Sequence, residues 1–217
     1  MPNPSAETLL SAREALAAAD AALAVAHAAT PTFAWRSRTG GFTGLCHMIV
    51  AQQVSTAAAA AIWGRVEAGL GTVSPETVLA ADDLQLRAFG LSSQKARYVR
   101  AIAEAHVSGA ADFDALPRAE SETAIAALTS IKGVGRWTAE LYLLFCEGRL
   151  DAFPAGDLAL QEGLRMAEDG EGRLSEKGLY ARAEAWRPYR GVAAHLLWAY
   201  YGLRKKGGAP PLEEARK

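Results

Sequence analysis

One carboxylate and one glycine hairpin stand out among 217 residues as groups that could do chemistry. The stretch Leu128 to Asp157 reads LTSIKGVGRWTAELYLLFCEGRLDAFPAGD. An apolar helix end leads into Ile131-Lys132-Gly133-Val134-Gly135, and a second apolar run follows from Trp137 to Phe145. Two short helices joined in this way present backbone N–H groups at the second helix's N-terminus. Such an end attracts an anion, because the first-turn donors and the helix dipole point the same way. Lys132 and Arg136 flank the hairpin and would add charge to a phosphate contact. Asp157 follows a Phe-Pro-Ala-Gly turn and precedes a Leu-rich segment, the position of an N-cap.

Gly133-Val134-Gly135 by itself also makes an ordinary tight turn. It is not a Walker loop, since no Lys-Ser/Thr follows, and not a dinucleotide fingerprint, since no strand precedes it and the third glycine is absent. The longer pattern, Leu-x-x-Ile-Lys-Gly-Val-Gly-Arg-Trp-Thr-Ala from Leu128 to Ala139, is far more specific. It resembles the helix–hairpin–helix motif of the HhH-GPD DNA glycosylase superfamily, and within it the AlkA-type branch of 3-methyladenine glycosylases. The resemblance runs from about Phe42 to Leu203.

That resemblance implies an all-α, two-lobed HhH-GPD fold. Residues 1–217 form one glycosylase domain, with the hairpin motif at about 128–146 and the N- and C-terminal helices sharing a lobe. It implies that Lys132, Gly133, Val134, Gly135 and Arg136 bind DNA phosphate. It also implies a monovalent cation, Na+ or K+, at the hairpin backbone of Ile131 and Val134, with no other cofactor expected. Asp157 takes the position of the catalytic Asp while also capping its helix. Breaking an N-glycosidic bond builds positive charge on the sugar, much as in glycoside hydrolysis. A carboxylate in a water-poor cleft stabilises that charge and positions the attacking water. An alkylated purine already carries positive charge and leaves without a dedicated general acid.

Trp137 occupies the place where bifunctional relatives carry a Schiff-base lysine, so the resemblance implies a monofunctional hydrolase. Trp137 is either a wall of the base pocket, favouring a cationic base, or a core residue of an amphipathic helix. Trp198, eight residues after Arg190 in a segment similar to the family's C-terminal signature, is the second pocket aromatic. Leu141 stands where AlkA-type enzymes often have Tyr. Tyr142, one position over, points elsewhere. Phe33, Trp35 and His47 are the aromatic candidates to replace the missing ring, with ordinary packing as the alternative for each. Ile49-Val50-Ala51-Gln52-Gln53-Val54-Ser55 resembles the wedge that enters the duplex, placing Gln53 at the wedge beside Gln52. Without the resemblance, the paired glutamines read as an exposed turn.

Further elements must position these groups. Residues 5–29 read as one long Ala-rich helix closed by Pro31, and a second spans Phe42 to Gln53. Ser55, Ser74 (followed by Pro75), Asp82 and Ser92 or Ser93 mark further helix starts. The helix leading into the hairpin is expected from Pro117 or Arg118 to Leu128. Others are expected at 158–166, 175–186 and 189–203. No run alternates with period two, so no strand is expected and about ten short helices are.

Composition sets outer limits. Half of the residues are hydrophobic, enough for a substantial core at this length. No apolar run reaches about 18 residues, and the acidic residues Glu7, Glu14 and Asp20 are unlike a signal peptide. Cytoplasmic location without membrane contact is the expectation. Cys46 and Cys146 are too few for a disulfide framework, a zinc site or an iron–sulfur cluster. Net charge is −1, which by itself does not suggest nucleic-acid binding. Basic residues nevertheless gather at Lys95–Arg100, Lys132–Arg136 and Arg182–Lys206, as binding faces or as solvated helix surfaces.

The expected function is excision of alkylated purines, 3-methyladenine and 7-methylguanine, from double-stranded DNA by a monomer. The alternatives are a glycosylase for deaminated or mismatched bases and a non-catalytic DNA-binding module. The N-terminal β-containing domain of some AlkA proteins has no counterpart in residues 1 to about 40, which look helical.

Overall fold

The computed structural model describes residues 4–30 and 35–207. Pro31 and Phe33 lie outside the described residues. Among the described residues, twelve α-helices and two 3-10 turns make up the regular structure, and no strand occurs. The chain divides into two compact units: residues 1–37 with 148–217, and residues 38–147.

The first unit opens with α1 (Ala6–Ala19) and α2 (Ala21–Ala29). The single long helix expected over 5–29 is therefore two. Asp20 takes an extended backbone (φ −146°, ψ 120°), and its carboxylate accepts the N–H groups of Ala22 and Leu23 as the N-cap of α2. This capping carboxylate is buried, and it also receives the Trp186 indole N–H at 2.7 Å and pairs with Arg182. Burial alone would raise its pKa, but the bonds from Arg182, Trp186 and Leu23 outweigh that and hold it below the usual carboxylate value. The break is set by a long-range partner, 166 residues away, which local propensity does not see.

After the second unit, the chain returns with α10 (Leu158–Ala167), α11 (Glu176–Ala183) and α12 (Arg190–Lys205). The helix expected to reach Trp186 tightens into a 3-10 turn, Glu184–Trp186. Helices α10, α1 and α2 pack on α12. Their shared core holds Leu16, Leu23, Leu160, Leu164, Leu196 and Leu197, all buried. Gly163 lets α10 approach α12 closely: a Cβ there would lie 2.8 Å from the Leu197 carbonyl oxygen.

The second unit contains α3 (Gly41–Ala51), α4 (Thr56–Leu70), α5 (Pro75–Ala80), α6 (Asp83–Ala88) and α7 (Ser93–Val107). It ends with α8 (Ser121–Thr129) and α9 (Arg136–Phe145). Ser55, Ser74, Asp82 and Ser92 each cap a helix through the side chain as expected, each satisfying a first-turn N–H. The helix before the hairpin starts later than expected. Pro117 sits in a 3-10 turn, Leu116–Arg118, and extended Ala119 (ψ 150°) separates it from α8. Helix α3 ends at Ala51 and does not reach Gln53. Helix α7 packs against α3, α5 and α6, and α9 against α8 and α3.

Candidate active site

In the first unit, a compact turn delivers Asp157 to the start of α10. Ala155 N–H donates to the Phe153 carbonyl at 3.0 Å and Asp157 N–H to that of Pro154 at 2.9 Å. The buried Gln161 amide, one turn into α10, donates back to Ala155 O at 3.0 Å. Oδ1 of half-buried Asp157 accepts from Ala159 N–H (2.9 Å), Leu160 N–H (3.1 Å) and the Trp198 indole N–H (3.1 Å). The N-cap and a long-range partner thus converge on one oxygen, and together they fix the orientation of the carboxylate.

Trp198 is in turn held from two sides. His195 meets it edge-on, with ring centroids 5.6 Å apart, and the Arg36 guanidinium lies 5.3 Å over its ring. His195 stacks on Trp35 at 4.1 Å and 15°. Its Nε2 accepts Arg36 N–H at 3.2 Å, which leaves Nδ1 to carry the proton and donate to Gly191 O at 2.8 Å. Burial first, then the nearby Arg36 charge, push the imidazole pKa down to about 4, against the opposing pull of the Gly191 carbonyl. His195 is neutral near pH 7. Neither His195 nor Arg36 was singled out by sequence reasoning; the available signal was a histidine one turn before Trp198.

In the second unit, the hairpin is anchored by its apolar members. Ile131 and Val134 are buried while Lys132 and Gly135 are exposed. Val134 N–H closes a turn on Ile131 O at 3.0 Å, and Gly133 adopts φ +94°, a left-handed value that suits glycine. Gly135 is the N-cap of α9 and brings no capping side chain. Arg136, expected to add charge at a phosphate, is ion-paired within the unit. Its guanidinium engages Glu122 (2.7 and 3.1 Å) and buried Glu140 (3.0 Å), which balance that charge inside the unit.

Trp137 is 39% exposed, so the core reading of it does not hold. It lines a pocket of about 130 Å³ with Leu141, Met48 and Phe145. Gln52, Thr138 and Arg38 supply the polar part of the lining. Gln52 Nε2 donates to Thr138 Oγ1 at 3.1 Å, which ties the paired glutamines to α9. Gln53 is exposed with φ 57°. Tyr142 is buried away from the pocket and accepts Gly41 N–H at 2.8 Å. Of the expected substitute aromatics, His47 packs on Trp63 (4.8 Å) outside this pocket, and Trp35 serves His195.

The predicted residues are therefore brought together in two groups. Trp137, Leu141 and Gln52 share a pocket beside the hairpin, and Asp157 and Trp198 are directly bonded. Among the described residues, no group of three or more His, Cys, Asp or Glu side chains is placed to hold a metal, and no helix is long and apolar enough to cross a membrane.

Comparison with known proteins gives the chain's relatives. DNA-3-methyladenine glycosylase 1 of Schizosaccharomyces pombe is 33% identical over 158 residues, covering 71% of this chain and 69% of that protein. The crystal structure of a DNA-3-methyladenine glycosidase from Bacillus halodurans aligns with a TM-score of 0.74 at 39% identity, over 81% of this chain and 82% of that one. The S. pombe 3-methyladenine DNA glycosylase Mag1, solved in complex with abasic DNA, aligns with a TM-score of 0.77 at 28% identity, over 87% and 95%. Residues 46–188, two thirds of the chain and including the hairpin, Asp157 and the Arg182–Pro188 segment, match the family pattern: the chain belongs to the HhH-GPD superfamily of base excision DNA repair proteins.

Proposed function

We propose that this protein is a DNA glycosylase that excises alkylated purines, 3-methyladenine and also 7-methylguanine, from double-stranded DNA as a monofunctional hydrolase. The relatives named 3-methyladenine glycosylases support the substrate class. The observation that carries the mechanism is the Asp157–Trp198 bond. It joins the carboxylate to the indole that would lie against a flipped base. As the glycosidic bond breaks, charge grows on the sugar, and a carboxylate fixed beforehand stabilises it without reorganising. Trp137 has no amine with which to form a Schiff base, and among the described residues Arg38 is the only basic side chain lining its pocket. Water is then the nucleophile, and an abasic site is the product.

In this reading, the hairpin from Lys132 to Arg136 binds phosphate through backbone N–H groups, with Lys132 adding charge and Gln53 entering the duplex. Ile131 and Val134 would offer backbone carbonyl oxygens to Na+ or K+; the Ile131 carbonyl accepts one hydrogen bond and keeps a second lone pair, so the donor set suits a hard cation. The protein acts as a monomer in the cytoplasm. The test is base release from duplexes carrying 3-methyladenine, 7-methylguanine, uracil or 8-oxoguanine. Asp157→Asn should keep DNA affinity and the helix cap while excision falls by about 10²- to 10³-fold. Wild-type excision by this variant would overturn the mechanism. A covalent adduct on borohydride treatment would overturn the monofunctional assignment.

A further inference from the structure

Helix α7 reaches both features that the proposed function assigns to DNA. Lys95 Nζ donates to Val50 O at 2.7 Å, at the C-terminal end of α3. The last carbonyls of a helix lack intrahelical donors, and an ammonium there also meets the negative end of the dipole. Immediately beyond, Gln52 is extended (ψ 138°) and Gln53 is left-handed (φ 57°), a backbone that an L-residue adopts when its surroundings hold it. The Gln52 amide is fastened to Thr138 of α9, so the turn is held at both ends.

Tyr98 lies three residues after Lys95, on the same side of α7. Its ring packs directly under the hairpin: a Cβ added at Gly133 would come within 2.3 Å of it. The ring is steadied by Gln94, whose amide lies 2.7 Å from the phenolic oxygen. One face of one helix therefore supports the Gln52–Gln53 turn and the Gly133 backbone.

We propose that Lys95 and Tyr98 are positioning residues, a platform that sets the Gln53 turn at a fixed height from the hairpin so that gripping the backbone and entering the duplex act as one event. This rests on the reading that the hairpin binds phosphate and Gln53 enters the duplex. Lys95→Met keeps the aliphatic stem and removes the donor, and Lys95→Arg restores a donor. The probe is a duplex with a tetrahydrofuran abasic-site analogue beside 2-aminopurine, which brightens when its stack opens.

The Met variant should bind an undamaged duplex within about twofold of the parent, yet lose about tenfold in single-turnover excision and most of the fluorescence response, with Lys95→Arg recovering both. In a Gln53→Ala background, Lys95→Met should cost nothing further, because both act through one turn. Tyr98→Leu should weaken undamaged-duplex binding about fivefold and lower the fluorescence response as well. Where the Met variant melts early, Lys95→Leu, which also lacks a donor, provides the same comparison. Parent-like fluorescence in the Lys95 variant that lacks the donor, a further loss on adding Lys95→Met to Gln53→Ala, or a parallel loss of undamaged-duplex affinity overturns the platform while leaving the glycosylase reading intact. A parent that neither releases alkylated bases nor brightens the probe overturns both.

Discussion

At the residue scale, the Trp198 indole N–H separates two contributions that a single aromatic could make. Its ring can stack a base, and its N–H holds Asp157 Oδ1 at 3.1 Å. Trp198→Phe keeps a ring and removes the donor. Excision should fall about tenfold in kcat with KM within about twofold, because the orientation of Asp157 matters most where charge develops. A change in KM alone, measured with 3-methyladenine DNA, would assign Trp198 to binding only. His195 supports the same tryptophan and makes the protein acid-sensitive. Its folded-state pKa of about 4 lies below the ordinary 6.5, so the unfolded chain binds more protons between these values. Its contribution to stability is complete above pH 6.5 and is lost as pH falls toward 4, up to about 3 kcal/mol. Urea unfolding at pH 7, 5.5 and 4.5 should show this decline, and the His195 imidazole resonances should not titrate between pH 8 and 5.5. A midpoint near 6.5 would refute the neutral assignment.

At the element scale, the bond between Asp157 and Trp198 depends on how α10 meets α12. Asp157 caps the first helix, Trp198 sits within the second, and Gly163 permits their close approach. Gly163→Ala adds a Cβ 2.8 Å from Leu197 O. The gain of up to ~1 kcal/mol in helix propensity is smaller than the usual 1–3 kcal/mol cost of overpacking. A net loss of stability is expected, with lower excision as α10 shifts, checked by denaturant melts beside single-turnover rates. An unchanged melt would mean that the helices relax apart without cost. What the sequence made legible here was local. Ser55, Ser74, Asp82, Ser92 and Asp157 announce helix starts because a cap is an arrangement of a few neighbouring residues. Asp20 was missed, although it is the same type of cap, because the Ala-rich run continues through it and only Arg182 and Trp186 explain why the helix breaks there. The pairing of Asp157 with Trp198 across 41 residues, and the exposure of Trp137, were likewise invisible to periodicity.

At the scale of the whole molecule, charge decides what kind of DNA contact is feasible. The chain carries 23 basic and 24 acidic residues, and many of the arginines are committed internally. Arg100 pairs with Asp83, Arg136 with Glu122 and Glu140, Arg165 with Glu162, and Arg182 with Asp20 and Glu168. Arg187 and Arg190 share Asp151 and Glu184. Within the basic stretch from Arg182 to Lys206, open to reading as a binding face or as solvated helix surface, Arg182, Arg187 and Arg190 thus belong to a structural ion-pair network. Backbone N–H groups at the hairpin are neutral donors and displace few counterions, so most of the salt dependence should come from a small number of lysines and arginines. Plotting log affinity against log salt for an undamaged duplex should give a shallow slope of about −2 to −4, since each neutralised phosphate contributes about −0.9. Lys132→Ala should reduce the magnitude of that slope by about 1. Arg136→Gln should leave the slope nearly unchanged, because its charge is already balanced, while removing the Arg136 bond to buried Glu140 and lowering stability. A slope near −8, or one that collapses on losing Arg136 and not Lys132, would mean that these ion pairs open to receive DNA.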